Sequence, residues 1–424
     1  MKALFLLLLI FSTGNFLVAQ GIKNHPSPVS PLVILPGNYP DPSVAKLNGD
    51  YYLTNSTELD NPGLPIWHSR DLIHWKKISY ALTEFTGDVW APDIQYFNKQ
   101  WFIYFTALTT QGISNFVITA KQPIGPWSKP VNLNLAGIDP GFIASLDGRK
   151  YLFTSGGAIA PLDESGTKVV GAPHQVYKGW PIPKHWDYEC QCLESPKLLY
   201  RNGFYYYFSA QGGTAGPPTS HMVIVARSKN LEGPWENSPY NPVIHTRNAS
   251  ERWWSKGHGT LIEGPEKKWY LIYHAYEKGL LTLGRQVLIS EVQWTKDGWI
   301  KEGGRINATD VMGTSFTDNF AQSTLGLHWT FMNEQNPSQR YHLTNGALSL
   351  TAKGKSPGQS SPLVITPENG TYEIITKVSV GDSSTAGLLT SYNEEYTNGI
   401  ALTSNGIVTF LKNNISSPIP INGA

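Results

Sequence analysis

Five short runs rich in aromatic and β-branched residues recur along the chain. They begin near Tyr51, Trp101, Tyr151, Tyr205 and Trp269, and their starts lie 50, 50, 54 and 64 residues apart. Turn signals open them, with Asn48-Gly49, Asp147-Gly148 and Asn202-Gly203 the clearest. A second apolar run follows in four of them: Ile66-Trp-His-Ser, Phe116-Val-Ile-Thr-Ala, Val223-Ile-Val-Ala and Val287-Leu-Ile-Ser. No amphipathic helical period interrupts the series. Repeats of this length are typical of propeller blades carrying insertions, so residues 31–311 are expected to form a five-bladed β-propeller of four-stranded blades.

The pattern changes at Met312. Phe316-Thr-Asp-Asn-Phe and Leu325-Gly-Leu-His-Trp open a new segment, followed by alternating runs such as Ala347-Leu-Ser-Leu-Thr and Tyr372-Glu-Ile-Ile-Thr. Residues 312–424 are therefore expected to belong to an antiparallel β-sandwich. A sandwich ending at Ala424 leaves edges unpaired, so this second domain is read as truncated.

At the other end, Lys2, the apolar Ala3–Phe11 and the small and polar Ser12–Ala19 have the form of an export signal, residues 1–19. The apolar run is too short to span a bilayer, and no later stretch reads as a membrane helix. The expected location is periplasmic or extracellular. The two cysteines, Cys190 and Cys192, are expected to be buried thiols, because residues two apart rarely pair.

Composition narrows the partner. The formal charge is +1 over 424 residues, which disfavours a nucleic-acid surface. With 14 Trp and 21 Tyr, the chain is better equipped for a neutral ligand with apolar faces, such as a carbohydrate. The sequence carries no reading of the oligomeric state.

An ionisable residue precedes each aromatic run: Asp41, Asp93, Asp139, Glu194 and His258. Asp41, Asp139 and Glu194 lie 10 to 12 residues ahead of their runs, each with Pro one or two positions later. Equivalent phase in a propeller sends such side chains toward one axis. Clustered carboxyls raise one another's pKa, which keeps one protonated. Glycoside hydrolysis needs that combination: a protonated acid for the leaving oxygen and an ionised partner.

In order, Asn38-Tyr-Pro-Asp-Pro-Ser, Trp90-Ala-Pro-Asp, Ile138-Asp-Pro, Glu194-Ser-Pro, Gly257-His-Gly-Thr and Leu283-Gly-Arg resemble glycoside hydrolase family 43 over Pro31–Arg305. The resemblance implies a five-bladed propeller and single-displacement hydrolysis with inversion. It implies Asp41 as general base, Glu194 as general acid and Asp139 as the group that tunes and orients Glu194. Many members carry Glu-Gly-Pro where this chain has Glu194-Ser-Pro. Inversion sets an expected separation of roughly 6.5–9.5 Å between the two working carboxyls.

Asp93 is expected to bond backbone or a neighbouring blade. Arg285 is expected to present its fork of donors to sugar hydroxyls. Among tryptophans able to serve as sugar platforms, Trp90 is placed first, with Trp67, Trp180, Trp186 and Trp253 behind it. The chemistry itself needs no cofactor. In similar enzymes the residue matching His258 lies near a calcium held largely by water, so the resemblance suggests a structural calcium here. The expected activity is exo-acting release of xylose or arabinose from plant oligosaccharides or polysaccharides. The C-terminal segment, similar to the sandwich of many β-xylosidases, favours β-xylosidase. An α-L-arabinofuranosidase and a non-catalytic binding propeller are the alternatives.

Overall fold

The tight turns within the repeats adopt the left-handed backbone that their residues favour. Asn48 and Gly49 have φ of 52° and 90°, Asn202 and Gly203 50° and 85°. Two successive left-handed residues make a turn whose twist matches that of the strands it joins, so each pair closes an antiparallel hairpin.

The computed structural model describes residues 30–411, apart from 314, 382 and 393–395, together with the backbone of 414–415. The export signal expected at residues 1–19 lies outside the described residues. Among the described residues no helix is long and apolar enough to cross a membrane.

Five antiparallel sheets follow one another along the chain. Blade one comprises Ser43–Leu47, Asp50–Thr54, Gly63–Ser69 and Lys76–Leu82. Blade two runs Asp88–Phe97, Gln100–Thr109, Gly112–Ala120 and Val131–Asn132. Blade three runs Gly141–Ala144, Lys150–Thr154, Ala158–Leu162 and His174–Gln175. Blade four is built on Glu194–Arg201, Phe204–Gln211 and Met222–Ser228, with Glu236–Asn237 outermost. Blade five is built on Trp253–Glu263, Trp269–Glu277 and Arg285–Trp294. Its fourth position is filled from the start of the chain: Leu32–Leu35 pairs with Arg285–Trp294. Joining the two ends of the repeat in one sheet closes the ring.

The first strand of each blade is the innermost. These five strands contact one another in a closed circuit, from blade one through blade five and back. Each second strand is aromatic because it is buried on both faces. In blade two, Trp101, Ile103 and Phe105 pack toward blade one, whereas Phe102 and Tyr104 pack toward Phe142 and Leu152 of blade three. The strand period of two thus feeds two adjacent cores. Similar apolar clusters fill the interfaces between blades three and four, four and five, and five and one.

Asp93 ties four blades together. It accepts from the Ser43 hydroxyl at 3.2 Å and the Phe142 amide at 2.9 Å, and pairs with Lys197 at 3.1 Å. Lys197 also donates to the Pro92 carbonyl at 2.8 Å. Both side chains are buried. Lys197→Met, which leaves Asp93 without its counter-charge, is expected to lower stability by about 3–5 kcal/mol, read as an earlier urea unfolding midpoint.

Beyond the propeller, the chain forms short antiparallel strands. Thr330–Met332 pairs with Leu363–Val364, Tyr341–Thr344 pairs with Ala347–Leu350, and Ala386–Ser391, Thr397–Thr403 and Gly406–Leu411 lie in one sheet. This β-sandwich region docks on blade one: Thr330–Met332 also pairs with Asp60–Asn61, and the Thr330 hydroxyl donates to Asp60 at 3.1 Å.

Candidate active site

At the axis the chain bends just before or within the inner strands of four blades. Asp41, Asp139 and His258 have φ of 58°, 59° and 58°, and Ser195, beside Glu194, has φ of 54°. L-residues adopt this backbone at a cost of order 1–3 kcal/mol, and it persists where surroundings over-determine it. Here prolines and hydrogen bonds do so. Asp41 stands between Pro40 and Pro42, and its amide donates to His274 Nδ1 at 3.0 Å. Asp139 precedes Pro140, and its amide donates to the Thr106 hydroxyl at 2.9 Å.

These bends bring Asp41, Asp139, Glu194, His258 and Arg285 into one cavity of about 320 Å³, whose wall also includes Ser56, Glu58, Asp88, Trp90, Ile138 and Thr214. Residues more than 150 positions apart in the chain thus meet in a single solvent-accessible hollow. Trp90 and Arg285 stand in its wall.

Asp41 is surrounded by donors. Its Oδ1 lies 2.8 Å from Arg285 Nη1 and 3.3 Å from His258 Nδ1, and its Oδ2 accepts the Ser56 hydroxyl at 2.6 Å. Burial acts against a charge on Asp41, but Arg285 and His258 outweigh it and hold its carboxyl well below the usual range. Because His274 Nδ1 accepts the Asp41 amide, the proton of the neutral ring sits on Nε2.

Glu194 is in the opposite situation. Burial, followed by the charges of Asp139 and Asp41, pushes its carboxyl well above the usual range. Asp139 connects the two: its Oδ2 accepts the Ser195 amide at 3.1 Å and lies 3.8 Å from His258 Nδ1. Burial and the charge of Asp41 push Asp139 up to about 7. One carboxyl of the cavity therefore holds charge while another holds a proton, which is the division that acid–base chemistry on a single bond requires.

His221 closes the floor behind Glu194, with Nδ1 at 4.0 Å from Glu194 Oε1. It fits only because residue 257 has no side chain; a Cβ there would lie 1.6 Å from His221 Cδ2. Gly257→Ala is expected to displace His221, costing about 1–3 kcal/mol or more, with a lower melting temperature and a lower kcat together.

Three sequence expectations need correction. Trp67 is 6 % exposed and packed against Tyr39, its indole N–H donating to Asn55 at 3.1 Å. It is not in the cavity wall; strand Gly63–Ser69 is third from the axis and Trp67 faces the core between blades one and five. Trp253 is likewise a core residue. Cys190 and Cys192 are neither buried nor free thiols. They form a disulfide, made possible by Cα atoms 5.3 Å apart where the backbone bends at Cys192, φ 28°.

The suggested calcium beside His258 finds no protein cage. Among the described residues no group of three or more His, Cys, Asp and Glu side chains is placed to hold a metal. The buried unpartnered atoms there include His258 Nε2 and His274 Nε2, nitrogens in a place where calcium would take oxygens. The residues present do not fit a calcium held by side chains, and no step below involves one.

Sequence reading passed over His274, His221, Ser56, Glu58 and Asp88. His274 ends an aromatic run, where it resembles a packing residue. Asp88 lies two residues before Trp90, a period-two signal that both face the same side.

Comparison with known proteins agrees with this geometry. Residues 31–300 match the family described as glycosyl hydrolases family 43. A non-reducing end alpha-L-arabinofuranosidase of Bacteroides ovatus is 32% identical over 386 residues, covering 83% of this chain and 68% of that protein. A xylan 1,3-beta-xylosidase of a Vibrio species is 31% identical over 63% of this chain and 56% of its own length. A beta-xylosidase of Bacillus subtilis is 28% identical over 75% of this chain and 66% of its own length. The chain thus spans between about half and two thirds of these relatives. The crystal structure of a xylan beta-1,4-xylosidase from Bacillus halodurans superposes with a TM-score of 0.77 at 28% identity, over 92% of this chain and 84% of that one. The chain belongs to glycosyl hydrolase family 43, a family of inverting glycoside hydrolases.

Proposed function

We propose that this protein is an exported, exo-acting β-xylosidase that hydrolyses terminal xylose from plant oligosaccharides with inversion. The observation that carries the reading is the convergence of Asp41, Asp139 and Glu194 in one small cavity, where Arg285 pulls the Asp41 carboxyl down and burial pushes that of Glu194 up. Its volume is at the low end of ligand pockets, about 300–1,000 Å³, and suits one terminal sugar better than a length of polymer. Relatives named beta-xylosidase support xylose. The Bacteroides ovatus relative, at 32% identity over most of the chain, supports α-L-arabinofuranosidase as the second reading.

In this mechanism Asp41 accepts a proton from water as the water oxygen bonds to the anomeric carbon. The bond from that carbon to the leaving oxygen breaks, and Glu194 delivers its proton to that oxygen. Asp139 holds the Ser195 amide, fixing the backbone beside Glu194, and its charge helps keep the acid protonated. Arg285 holds Asp41 ionised. Trp90 offers a face to the sugar's C–H surface.

Asp139→Asn removes a like charge from beside Glu194. The alkaline limb of kcat/KM is expected to move to lower pH in this variant. Stability changes in the same experiment. The folded pKa of Asp139, about 7, lies above its unfolded value, so its contribution is full below the unfolded pKa and is lost as pH rises toward 7. Wild type is expected to lose melting temperature across that window more steeply than Asp139→Asn.

Purified protein assayed on aryl β-D-xyloside and aryl α-L-arabinofuranoside tests the reading. Preference for the xyloside is expected. Preference for the arabinofuranoside moves the assignment to the second reading, and turnover of neither, nor of oligosaccharides, leaves a binding module. Amino-terminal sequencing of the mature protein tests export, with a start after Ala19 expected.

A further inference from the structure

Glu58 has no part in the mechanism above, yet it is held with unusual care. It stands in the cavity wall with half of its side chain exposed, 55%, so its carboxylate is open to a ligand. Its φ is 51°, a left-handed backbone that glutamate seldom takes. Two main-chain hydrogen bonds of 2.9 Å, one each way, lock it to Val89 of the innermost strand of blade two. From the other side, Asn333 donates to the Leu59 carbonyl at 2.8 Å, and Asp60–Asn61 pairs with the sandwich strand Thr330–Met332. The residue is clamped between blade two and the second domain.

Its neighbours have chemistry to match. Arg285, whose Nη1 holds Asp41, places Nη2 3.8 Å from Glu58 Oε1. Asp88 lies beside Val89 and has its Oδ1 buried with no hydrogen-bond partner. A sugar hydroxyl can donate to the Glu58 carboxylate or accept from its protonated form, and a carboxyl with two oxygens suits two adjacent hydroxyls. An aliphatic or cationic ligand fits less well: the first leaves the carboxyl unpaired, and the second meets Arg285.

We infer that Glu58 is a specificity-determining residue that grips ring hydroxyls of the terminal sugar and sets its orientation between Arg285 and Trp90. The sandwich region, by clamping the segment that carries Glu58, acts as a positioning element for the sugar. This inference rests on the glycosidase reading of the cavity.

The test compares wild type, Glu58→Gln and Glu58→Ala on aryl β-D-xyloside and on its analogues lacking the 2-, 3- or 4-hydroxyl. Glu58→Ala is expected to lower kcat/KM on the parent xyloside by about 10- to 100-fold. On the analogue lacking the gripped hydroxyl, the same variant is expected to lose almost nothing further, because the two changes remove one interaction. Glu58→Gln, which keeps both a donor and an acceptor and preserves the side-chain shape, is expected to recover part of the loss. Unchanged kcat/KM overturns the inference. Equal losses on all analogues, accompanied by a displaced acid limb of the pH profile, also overturn it, since they mark an effect through Arg285 and Asp41. If wild type turns over neither aryl pentoside, the glycosidase reading itself fails, an outcome distinct from either of these.

Discussion

Asp41→Asn is expected to reduce kcat by about 10³-fold or more on every substrate, including aryl glycosides with activated leaving groups. The loss is general because, in the proposed mechanism, the variant removes the acceptor of the water proton, and no leaving group supplies a substitute. Geometry makes Asp41 hard to replace. Its Oδ1 is held by Arg285 at 2.8 Å and its Oδ2 by Ser56 at 2.6 Å, so the carboxylate is pre-oriented and kept ionised despite burial. An Asn amide cannot accept at both positions: one of its atoms is an NH₂ that meets either the Arg285 guanidinium or the Ser56 hydroxyl. Steady-state kinetics on a nitrophenyl xyloside measure the loss. The variant is expected to remain folded, since the side-chain volume is unchanged.

Glu194→Gln is expected to behave differently. In the proposed mechanism Glu194 supplies a proton to the leaving oxygen, so the variant suffers in proportion to how badly that oxygen needs one. On xylobiose, whose leaving group is a sugar alcohol, kcat/KM is expected to fall by about 10²–10⁴-fold. On an aryl xyloside with a strongly acidic phenol the loss is expected to be tenfold or less. The alkaline limb of the pH profile is expected to vanish on the activated substrate, because that limb reports ionisation of the acid. A loss of the same size on both substrates would remove Glu194 from the acid role.

Much of this arrangement is visible in the residue order. The aromatic second strands are legible because a strand buried on both faces must be apolar throughout, as Trp101–Phe105 shows. The acids are legible because their flanking prolines recur at one phase of the repeat. The histidines are not. His221 and His274 stack 5.3 Å apart behind the acids, and only the ring of blades brings them there. Trp67 misleads because a tryptophan beside a propeller axis and one in the interface behind it have the same local sequence. The disulfide is hidden because Cys192 needs a left-handed backbone that spacing alone does not announce. Glu58 carries no motif, and its importance emerges only from the second domain that pins its neighbours.

The proposed division of labour, with Asp41 activating water and Glu194 protonating the leaving oxygen, makes a stereochemical commitment. Proton NMR of the sugar released in the first minutes of hydrolysis of an aryl β-D-xyloside tests it directly. α-Xylose appearing before mutarotation is the result predicted for water delivered by Asp41 with proton donation from Glu194. β-Xylose as the first product would mean a covalent intermediate and would contradict the roles given to both residues.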